Sequence, residues 1–119
     1  TLSRITGNLQ YENFVFEYTK SQKALADEID GYTFSLPSCV DEMHTLGARM
    51  HNCVFSYWQS VKNGNCTIVS ASVDGSPKIC IEVGSYGRIL QVRAPYNASL
   101  SGEQKKVFGK WQKKHSLWR

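Results

Sequence analysis

Residues 67–95 read TIVSASVDGSPKICIEVGSYGRILQVRAP and decide the fold, because they contain three strand-like segments joined by short turns. The segments are Thr67–Val73, Lys78–Val83 and Arg88–Arg93. An Asp74-Gly75 pair separates the first two segments, and Gly84-Ser85-Tyr86-Gly87 separates the second from the third. Alternating apolar and polar residues between such turns predict an antiparallel meander.

An apolar stripe with helical spacing precedes the meander. Its members recur at three- and four-residue steps: Val40, Met43, Leu46, Met50, Val54, Tyr57 and Val61. Gly47 interrupts the stripe, so one long helix and two helices meeting near residues 47–51 fit the pattern about equally well. Ser38 is the predicted N-cap of a helix that begins near Cys39, and Asn63-Gly64 ends the helical segment.

The flanking segments complete the predicted fold. Residues 9–18 are aromatic and broadly alternate, which predicts a strand, and residues 21–30 predict a short helix. Residues 32–36 are predicted to be extended because Pro37 follows them. A last amphipathic helix covers about Gly102 to Leu117, with Val107, Phe108, Trp111, His115 and Trp118 on its apolar side. The predicted class is α+β: a helical segment, a three- to four-stranded antiparallel meander and a C-terminal amphipathic helix, in two layers.

Composition indicates one ordinary globular domain, with 119 residues, 41% of them hydrophobic and 20% charged. No apolar run approaches the roughly 20 residues that span a bilayer, so no membrane partner is expected. Four cysteines, spaced too widely for a CxxC metal knuckle, indicate a reducing, cytoplasmic compartment. Phosphate loops, serine elbows, paired-carboxylate motifs and metalloprotease helices are absent from the sequence.

Residues 50–57, MHNCVFSY, bring an imidazole, a carboxamide, a thiol, a hydroxyl and a phenol into one short stretch. His51 is a candidate general acid or base, because an imidazole exchanges protons near neutral pH. Its alternative role is to hydrogen-bond the backbone and fix the bend at Gly47. On a continuous helix His51 and Cys53 point about 200° apart and cannot share a metal ion, although a helix break at Gly47 would lift that restriction. We expect no metal and no other cofactor.

Cys53 has two interpretations. If a second helix starts after Gly47, Asn52 becomes its N-cap and Cys53 lies in the first turn, where exposed amides favour a thiolate nucleophile. The commoner situation for a free cysteine is burial as a packing residue, and we expect it here, as for Cys66 and Cys80. The phenol of Tyr57 is the remaining catalytic candidate of this stretch.

A second polar cluster consists of Gln91, Arg93 and Asn97. Gln91 and Arg93 are two apart on a predicted strand and therefore share a face, while Leu90 and Val92 would pack the core on the other face. A guanidinium beside a carboxamide can clamp a phosphate or carboxylate; the alternative is a solvated sheet face. Asn97 follows in a loop, either as a ligand contact or as a turn residue.

The C-terminal helix carries a basic face, and the formal net charge of the chain is +4. The lysines of this face are Lys106, Lys110, Lys113 and Lys114. They could bind a nucleic-acid backbone through charge alone, although a solvated helix face has the same pattern. RNA or single-stranded DNA is therefore one expected partner, and a protein partner is the alternative.

Several of these motifs together resemble the PcfJ-like proteins of conjugative plasmids and other mobile elements. The similar motifs are Phe34-Ser35-Leu36-Pro37, Leu46–Val54 with Ser56-Tyr57, Val61 and Gly64, Ile68-Val69-Ser70, Ile81-Glu82-Val83, Gln91-Val92-Arg93, Asn97 and Trp111. They span roughly residues 32–113. We therefore interpret residues 32–119 as a PcfJ-like core domain and residues 1–31 as an N-terminal strand and helix extension of the same globular unit. The resemblance implies a mobile-element context rather than a particular reaction.

The sequence thus favours a nucleic-acid-directed domain of a mobile-element or defence protein. If it is catalytic, we expect a metal-independent ribonuclease in which His51 is acid or base and Arg93 steadies the phosphate charge, with Gln91, Cys53 and Tyr57 in the same cleft. The alternative is a non-catalytic nucleic-acid- or protein-binding module whose polar cluster is a buried structural network. A cysteine-nucleophile enzyme, which requires an exposed Cys53, is the third hypothesis.

Overall fold

A five-stranded antiparallel meander, in which each strand pairs with the next along the chain, lies at the centre of the fold. The computed structural model describes residues 13–119. The strands are β1 (Asp27–Ile29), β2 (Tyr32–Ser35), β3 (Thr67–Val73), β4 (Ser76–Val83) and β5 (Ile89–Arg93). The helices are α1 (Lys20–Lys23), α2 (Val40–Met50), α3 (Trp58–Lys62) and α4 (Gly102–Lys114), and 3-10 turns cover Val54–Tyr57, Ser85–Gly87 and Pro95–Asn97. The α+β class and the meander are confirmed, and no helix in residues 13–119 is long and apolar enough to cross a membrane.

The first hairpin differs from the prediction. Of the helix expected over residues 21–30, only α1 forms, and β1 pairs with β2 instead. The cause is the Asp30-Gly31 turn, whose two residues take left-handed φ angles of 53° and 85°. A two-residue turn of this kind matches the twist of antiparallel strands, so the chain reverses there and the sheet gains a fifth strand.

The strand predicted over residues 9–18 does not form within the described part of the chain. Residues 9–12 lie outside the described residues, and residues 13–18 contribute one isolated bridge, between Val15 and Cys39. Phe16 is buried among the apolar side chains of α2. The segment is therefore an extended chain anchored by its aromatic side chains rather than a strand of the sheet.

The ends of two helices also differ from the prediction. The N-cap of α2 is Cys39, not Ser38. The N–H and hydroxyl of Ser38 instead donate to the Glu42 carboxylate at 3.0 and 2.7 Å, and these hydrogen bonds lower the pKa of Glu42. Helix α4 ends at Lys114, before its predicted end. Trp118 is consequently 50% exposed instead of completing the apolar stripe.

The sheet is the middle of three layers, where we predicted two. One face packs against α4 and buries Tyr32, Phe34, Val69, Ala71, Ile79, Ile81, Val83, Ile89, Val92, Val107, Phe108 and Trp111. The other face packs against α2 and the turn after it, and buries Ile68, Cys80, Val40, Met43, Leu46, Met50 and Val54. Because side chains alternate along a strand, β3 and β4 contribute to both cores, and the two helical segments cover opposite faces.

Trp111 anchors α4 to its face of the sheet. Its side chain is 0% exposed, and its ring lies parallel to that of Phe34, with 5.0 Å between the centroids and 5° between the planes. Its Nε1 donates a hydrogen bond of 2.9 Å to the carbonyl oxygen of Leu25. Buried polar groups need such partners, so this bond also ties α4 to the chain segment before β1.

Candidate functional site

Two polar segments that are distant in the sequence meet in one cleft between the turn after α2 and strands β4 and β5. This cleft, which we call the Glu82 cleft, measures about 30 Å³ and is lined by Asn52, Cys53, Val54, Tyr57, Ile68, Cys80, Glu82, Gln91, Arg93 and Asn97. Five residues predicted for a site therefore converge: Cys53, Tyr57, Gln91, Arg93 and Asn97. His51 and the four helix lysines are not among the lining residues.

The turn between α2 and α3 places the first polar segment. His51 ends α2 in a left-handed conformation, with φ 53° and ψ 50°, and its N–H donates to the carbonyl oxygen of Gly47. The N–H of Asn52 donates to the same carbonyl at 3.1 Å, which closes the helix end. The Asn52 side-chain oxygen then accepts from the Val54 N–H at 3.0 Å and starts the next turn. Two helices do form, but they separate at residues 51–53.

Gly47 does not break the helix; it lets the following turn lie close against α2. A Cβ at this position would lie 3.3 Å from the backbone oxygen of Asn52 and 3.4 Å from Cγ1 of Val54. The first distance is tight for a Cβ, and this neighbour is backbone, which cannot swing aside; the second is at the limit of ordinary van der Waals contact. The absence of a side chain at Gly47 therefore sets how closely Asn52 and Val54 approach α2 beside the cleft.

We expect Gly47→Val to lower the free energy of unfolding by about 1–3 kcal/mol, the usual cost of overpacking. Gly109→Val is the matched control, since Gly109 is also helical and a Cβ there meets nothing within 4 Å. Valine has the better helix propensity, so the control should be neutral or slightly stabilising. Urea unfolding followed by circular dichroism checks both variants, and equal midpoints for the two would contradict the close-approach role of Gly47.

Strand register places the second polar segment opposite two β4 residues. Glu82 pairs with Gln91 and Cys80 pairs with Arg93, so all four lie on the cleft face of the sheet. A register shift follows, and Val83 pairs with Ile89. Leu90 is the extra residue of this bulge and is 50% exposed, so its predicted place in the core is wrong and Ile89 fills it. Bulges commonly redirect side chains in this way.

Glu82 supplies a carboxylate that we did not single out as a site residue. Partial burial raises the pKa of Glu82 above its ordinary value, because desolvation disfavours the charged form. Its carboxylate in turn raises the pKa of the Tyr57 phenol, and burial of the phenol adds to that effect. Glu82 has no ion-pair partner among residues 13–119. Its raised pKa brings it closer to the range that suits a general base at neutral pH.

Arg93 brings a positive charge to the same cleft. Its side chain is exposed, and Nη1 donates a hydrogen bond of 2.9 Å to the carbonyl oxygen of Val92. No carboxylate of residues 13–119 forms an ion pair with it. A guanidinium has five N–H donors, so donors remain for an anionic ligand.

His51 lies at the rim of the cleft, stacked on Tyr96. The two ring centroids are 4.3 Å apart and the planes differ by 6°. His51 immediately precedes Asn52, and Tyr96 immediately precedes Asn97, both of which line the cleft. The two polar segments are therefore joined by an aromatic contact as well as by the cleft.

The thiols near the cleft fall into two groups. Burial raises the pKa of Cys66 to about 11 and that of Cys80 to about 12. A hydrogen bond with the Asn52 side chain offsets part of the rise at Cys80. Both were predicted to be buried, which is confirmed. Cys53, however, is exposed, so its expected role as a buried packing residue is wrong. No three His, Cys, Asp or Glu side chains within residues 13–119 are grouped as metal ligands would be.

Two of the four lysines on the basic face of α4 form ion pairs with aspartates of the first hairpin. Lys110 forms an ion pair with Asp30 at 2.6 Å, and Lys114 with Asp27 at 2.8 Å. Hydrogen bonds from Lys114, the Glu28 N–H and His115 lower the pKa of Asp27 to about 2. These lysines thus join α4 to the first hairpin. Lys106 and Lys113 remain exposed, and no carboxylate in the described part of the chain pairs with them.

Two features of the site went unrecognised in the sequence. Glu82 is the acidic residue of the predicted strand Lys78–Val83. Pairing this strand with the next one across their short turn would have placed Glu82 opposite Gln91, on the same face of the sheet. The stacking of His51 on Tyr96 carries no sequence signal, since it depends on left-handed backbone at both residues.

Together the meander, the covering helices and the solvent-open polar cleft define a small α+β domain with a candidate ligand site at a helix–sheet junction. The family model described as PcfJ-like protein matches residues 4–108, and this chain belongs to that family. The match begins at residue 4, so it includes most of the segment that we expected to lie outside the similarity. Searches of curated proteins and of solved structures each returned no match.

Proposed function

We propose that this domain binds single-stranded RNA at the Glu82 cleft and cleaves it without a metal ion. The observation that carries the proposal is the presence of the Glu82 carboxylate, with its raised pKa, in one cleft with the Arg93 guanidinium and the Tyr57 phenol. A base, a cation for phosphate and a hydrogen-bond donor are the groups that transesterification of RNA needs.

Each residue has a defined role in this reaction. Glu82 accepts the proton of a ribose 2′-hydroxyl, and the 2′-oxygen attacks the adjacent phosphorus. Arg93 stabilises the negative charge that develops on the phosphate oxygens. The bond from phosphorus to the 5′-oxygen breaks as His51, at the rim, gives a proton to that oxygen. The products are a 2′,3′-cyclic phosphate and a free 5′-hydroxyl, and Tyr57 and Gln91 donate hydrogen bonds to the phosphate.

The exposure of the polar residues supports a ligand role over a purely structural one. His51, Cys53 and Arg93 are all exposed, whereas a network that only organises the bend would be buried and satisfied internally. Net charge of +4 favours association with a polyanion.

Binding without cleavage is the second candidate function. It is favoured by the size of the Glu82 cleft, about 30 Å³, which accommodates a few water-sized groups such as phosphate oxygens but not a nucleobase. In that case Arg93 and the exposed lysines would hold the phosphate backbone, and Glu82 would accept no proton.

The test is incubation of the purified domain with single-stranded RNA and with DNA of the same sequence, with and without EDTA. We expect RNA to be cut in both conditions and DNA to stay intact, because DNA lacks the attacking 2′-hydroxyl. Arg93→Ala should slow cleavage by about 100-fold or more, and His51→Phe, which keeps a ring on Tyr96 but has no proton to give, by a similar factor. Arg49→Ala, an exposed arginine on α2 outside the Glu82 cleft, is the charge-matched control.

Intact RNA with every protein, together with salt-dependent RNA binding, would replace the catalytic proposal by the binding one. Cleavage that EDTA abolishes would overturn the metal-independent mechanism.

A further inference from the structure

We infer that the stacked rings of His51 and Tyr96 form a platform on which a nucleobase of the single strand stacks, directly beside the Glu82 cleft. This inference rests on the proposed function and adds to it the part of the substrate that lies outside the cleft. The cleft itself is too small for a base, so the bases on either side of a bound phosphate must lie elsewhere on the surface.

The geometry of the platform suits a base. The two rings are parallel to within 6° and 4.3 Å apart, and the Tyr96 side chain is 71% exposed. A stack of this kind leaves flat outer faces in contact with water. Bases of single-stranded nucleic acids stack on exposed aromatic rings with little sequence preference, since every base has a π-face.

The backbone under the platform is left-handed at three residues, and at His51 this conformation also closes the end of α2. His51, Tyr96 and Asn97 have φ angles of 53°, 63° and 57°, a region that residues with a Cβ adopt at a cost in energy. Glycine would relieve this cost, and the exposed Tyr96 ring recovers little of it by burial. At this place in the fold the left-handed backbone holds the two rings in parallel contact.

Charge and position connect the platform to the cleft. Arg93 lies on β5, three residues before Tyr96, and its guanidinium is available to a phosphate. Asn52 and Asn97, the cleft residues that follow the two rings, continue from the platform into the cleft. A single-stranded nucleic acid with one phosphate at Arg93 can therefore place a neighbouring base on the rings. A free phosphate or a protein carboxylate has no base to stack there.

The structure offers a closely matched control, because Tyr86 has the same backbone conformation but no ring of residues 13–119 stacked on it. Tyr86 has φ 61° and ψ 24° and is 96% exposed, against φ 63° and ψ 28° for Tyr96. Glycine at either position should raise the melting temperature slightly, since it removes left-handed strain. Only Tyr96→Gly should weaken binding of the strand.

The experiment measures binding of a fluorescein-labelled 2′-O-methyl oligouridylate of about ten nucleotides, which cannot be cleaved, by anisotropy. We expect Tyr96→Gly to bind about 5- to 150-fold more weakly than the wild type, the range of one base–aromatic stack, while Tyr96→Phe and Tyr86→Gly bind like the wild type. An abasic oligomer of the same length should bind the wild type and Tyr96→Gly equally.

Three outcomes separate this inference from the proposed function. Equal affinities of Tyr96→Gly and Tyr86→Gly, with loss of binding in Arg93→Ala, would overturn the platform and leave the cleft as the RNA site. Binding with the expected Tyr96 loss but no cleavage of ordinary RNA would support the platform and overturn the catalytic step. No binding by the wild type would overturn both.

Discussion

Trp111→Ala is expected to lower the free energy of unfolding by about 3–5 kcal/mol, the range for truncating a buried aromatic side chain. The ring is 0% exposed and stacked on Phe34, so its removal leaves a cavity between α4 and the sheet. The carbonyl of Leu25 also loses its buried hydrogen-bond donor. Small domains have total stabilities of about 5–15 kcal/mol, so this one change brings the domain close to unfolding.

Two further tryptophan variants make this prediction specific. Trp118→Ala removes a ring that is 50% exposed and should change the unfolding midpoint little. Trp111→Phe keeps an aromatic ring but has no N–H for the Leu25 carbonyl, so its stability should lie between those of the wild type and Trp111→Ala. Urea unfolding followed by far-ultraviolet circular dichroism gives all three midpoints. A midpoint for Trp111→Ala as high as that for Trp118→Ala would refute the anchoring role.

The meander was predictable because local signals agreed with the tertiary structure. Alternation along Thr67–Val73 and the Asp74-Gly75 turn both favour a hairpin, and the strand forms with those bounds. The Asp30-Gly31 pair carries the same turn signature. In the prediction, the helix propensity of the polar, Ala- and Leu-containing segment before it outweighed this turn signal. Helix propensity is only a weak preference, and tertiary contacts override it. Leu25, in that segment, is buried in the core under α4.

The meeting of the two polar segments was not predictable from the sequence. It depends on the left-handed turn at His51 and on the bulge at Leu90, and neither residue type signals such a conformation strongly. Charge patterns have the same limit. The lysines of α4 were visible in the sequence, but their pairing with Asp27 and Asp30 follows from the first hairpin, which the sequence did not reveal.

Glu82→Gln is expected to reduce RNA cleavage by about 10²- to 10⁴-fold, the usual contribution of a general base. Glutamine has nearly the same shape and occupies the same place in the cleft, opposite Gln91 on β5, but it cannot accept the 2′-hydroxyl proton. Glu28→Gln is the matched control, since Glu28 is an exposed strand glutamate on β1, at the far edge of the sheet. Cleavage by this control should equal that of the wild type.

The pH dependence distinguishes loss of a base from loss of the fold. Because desolvation raises the pKa of Glu82 above its ordinary value, wild-type cleavage should fall as the pH drops through that raised pKa. The effect of Glu82 on the free energy of unfolding changes with pH in the opposite direction to its effect on the cleavage rate. Protonated Glu82 is favoured by the fold, so its contribution to stability is present below the unfolded-state pKa and is lost as the pH rises through the folded-state pKa.

Glu82→Gln should therefore be at least as stable as the wild type at pH 7, with the difference disappearing in acid. A variant that is inactive and yet no less stable cannot owe its inactivity to unfolding. Initial cleavage rates and melting temperatures, both measured from about pH 4 to pH 8 to bracket the ordinary and raised carboxyl values, check the two signs together. If Glu82→Gln cleaves at the wild-type rate, the base is another group and Glu82 serves only to hold the cleft polar.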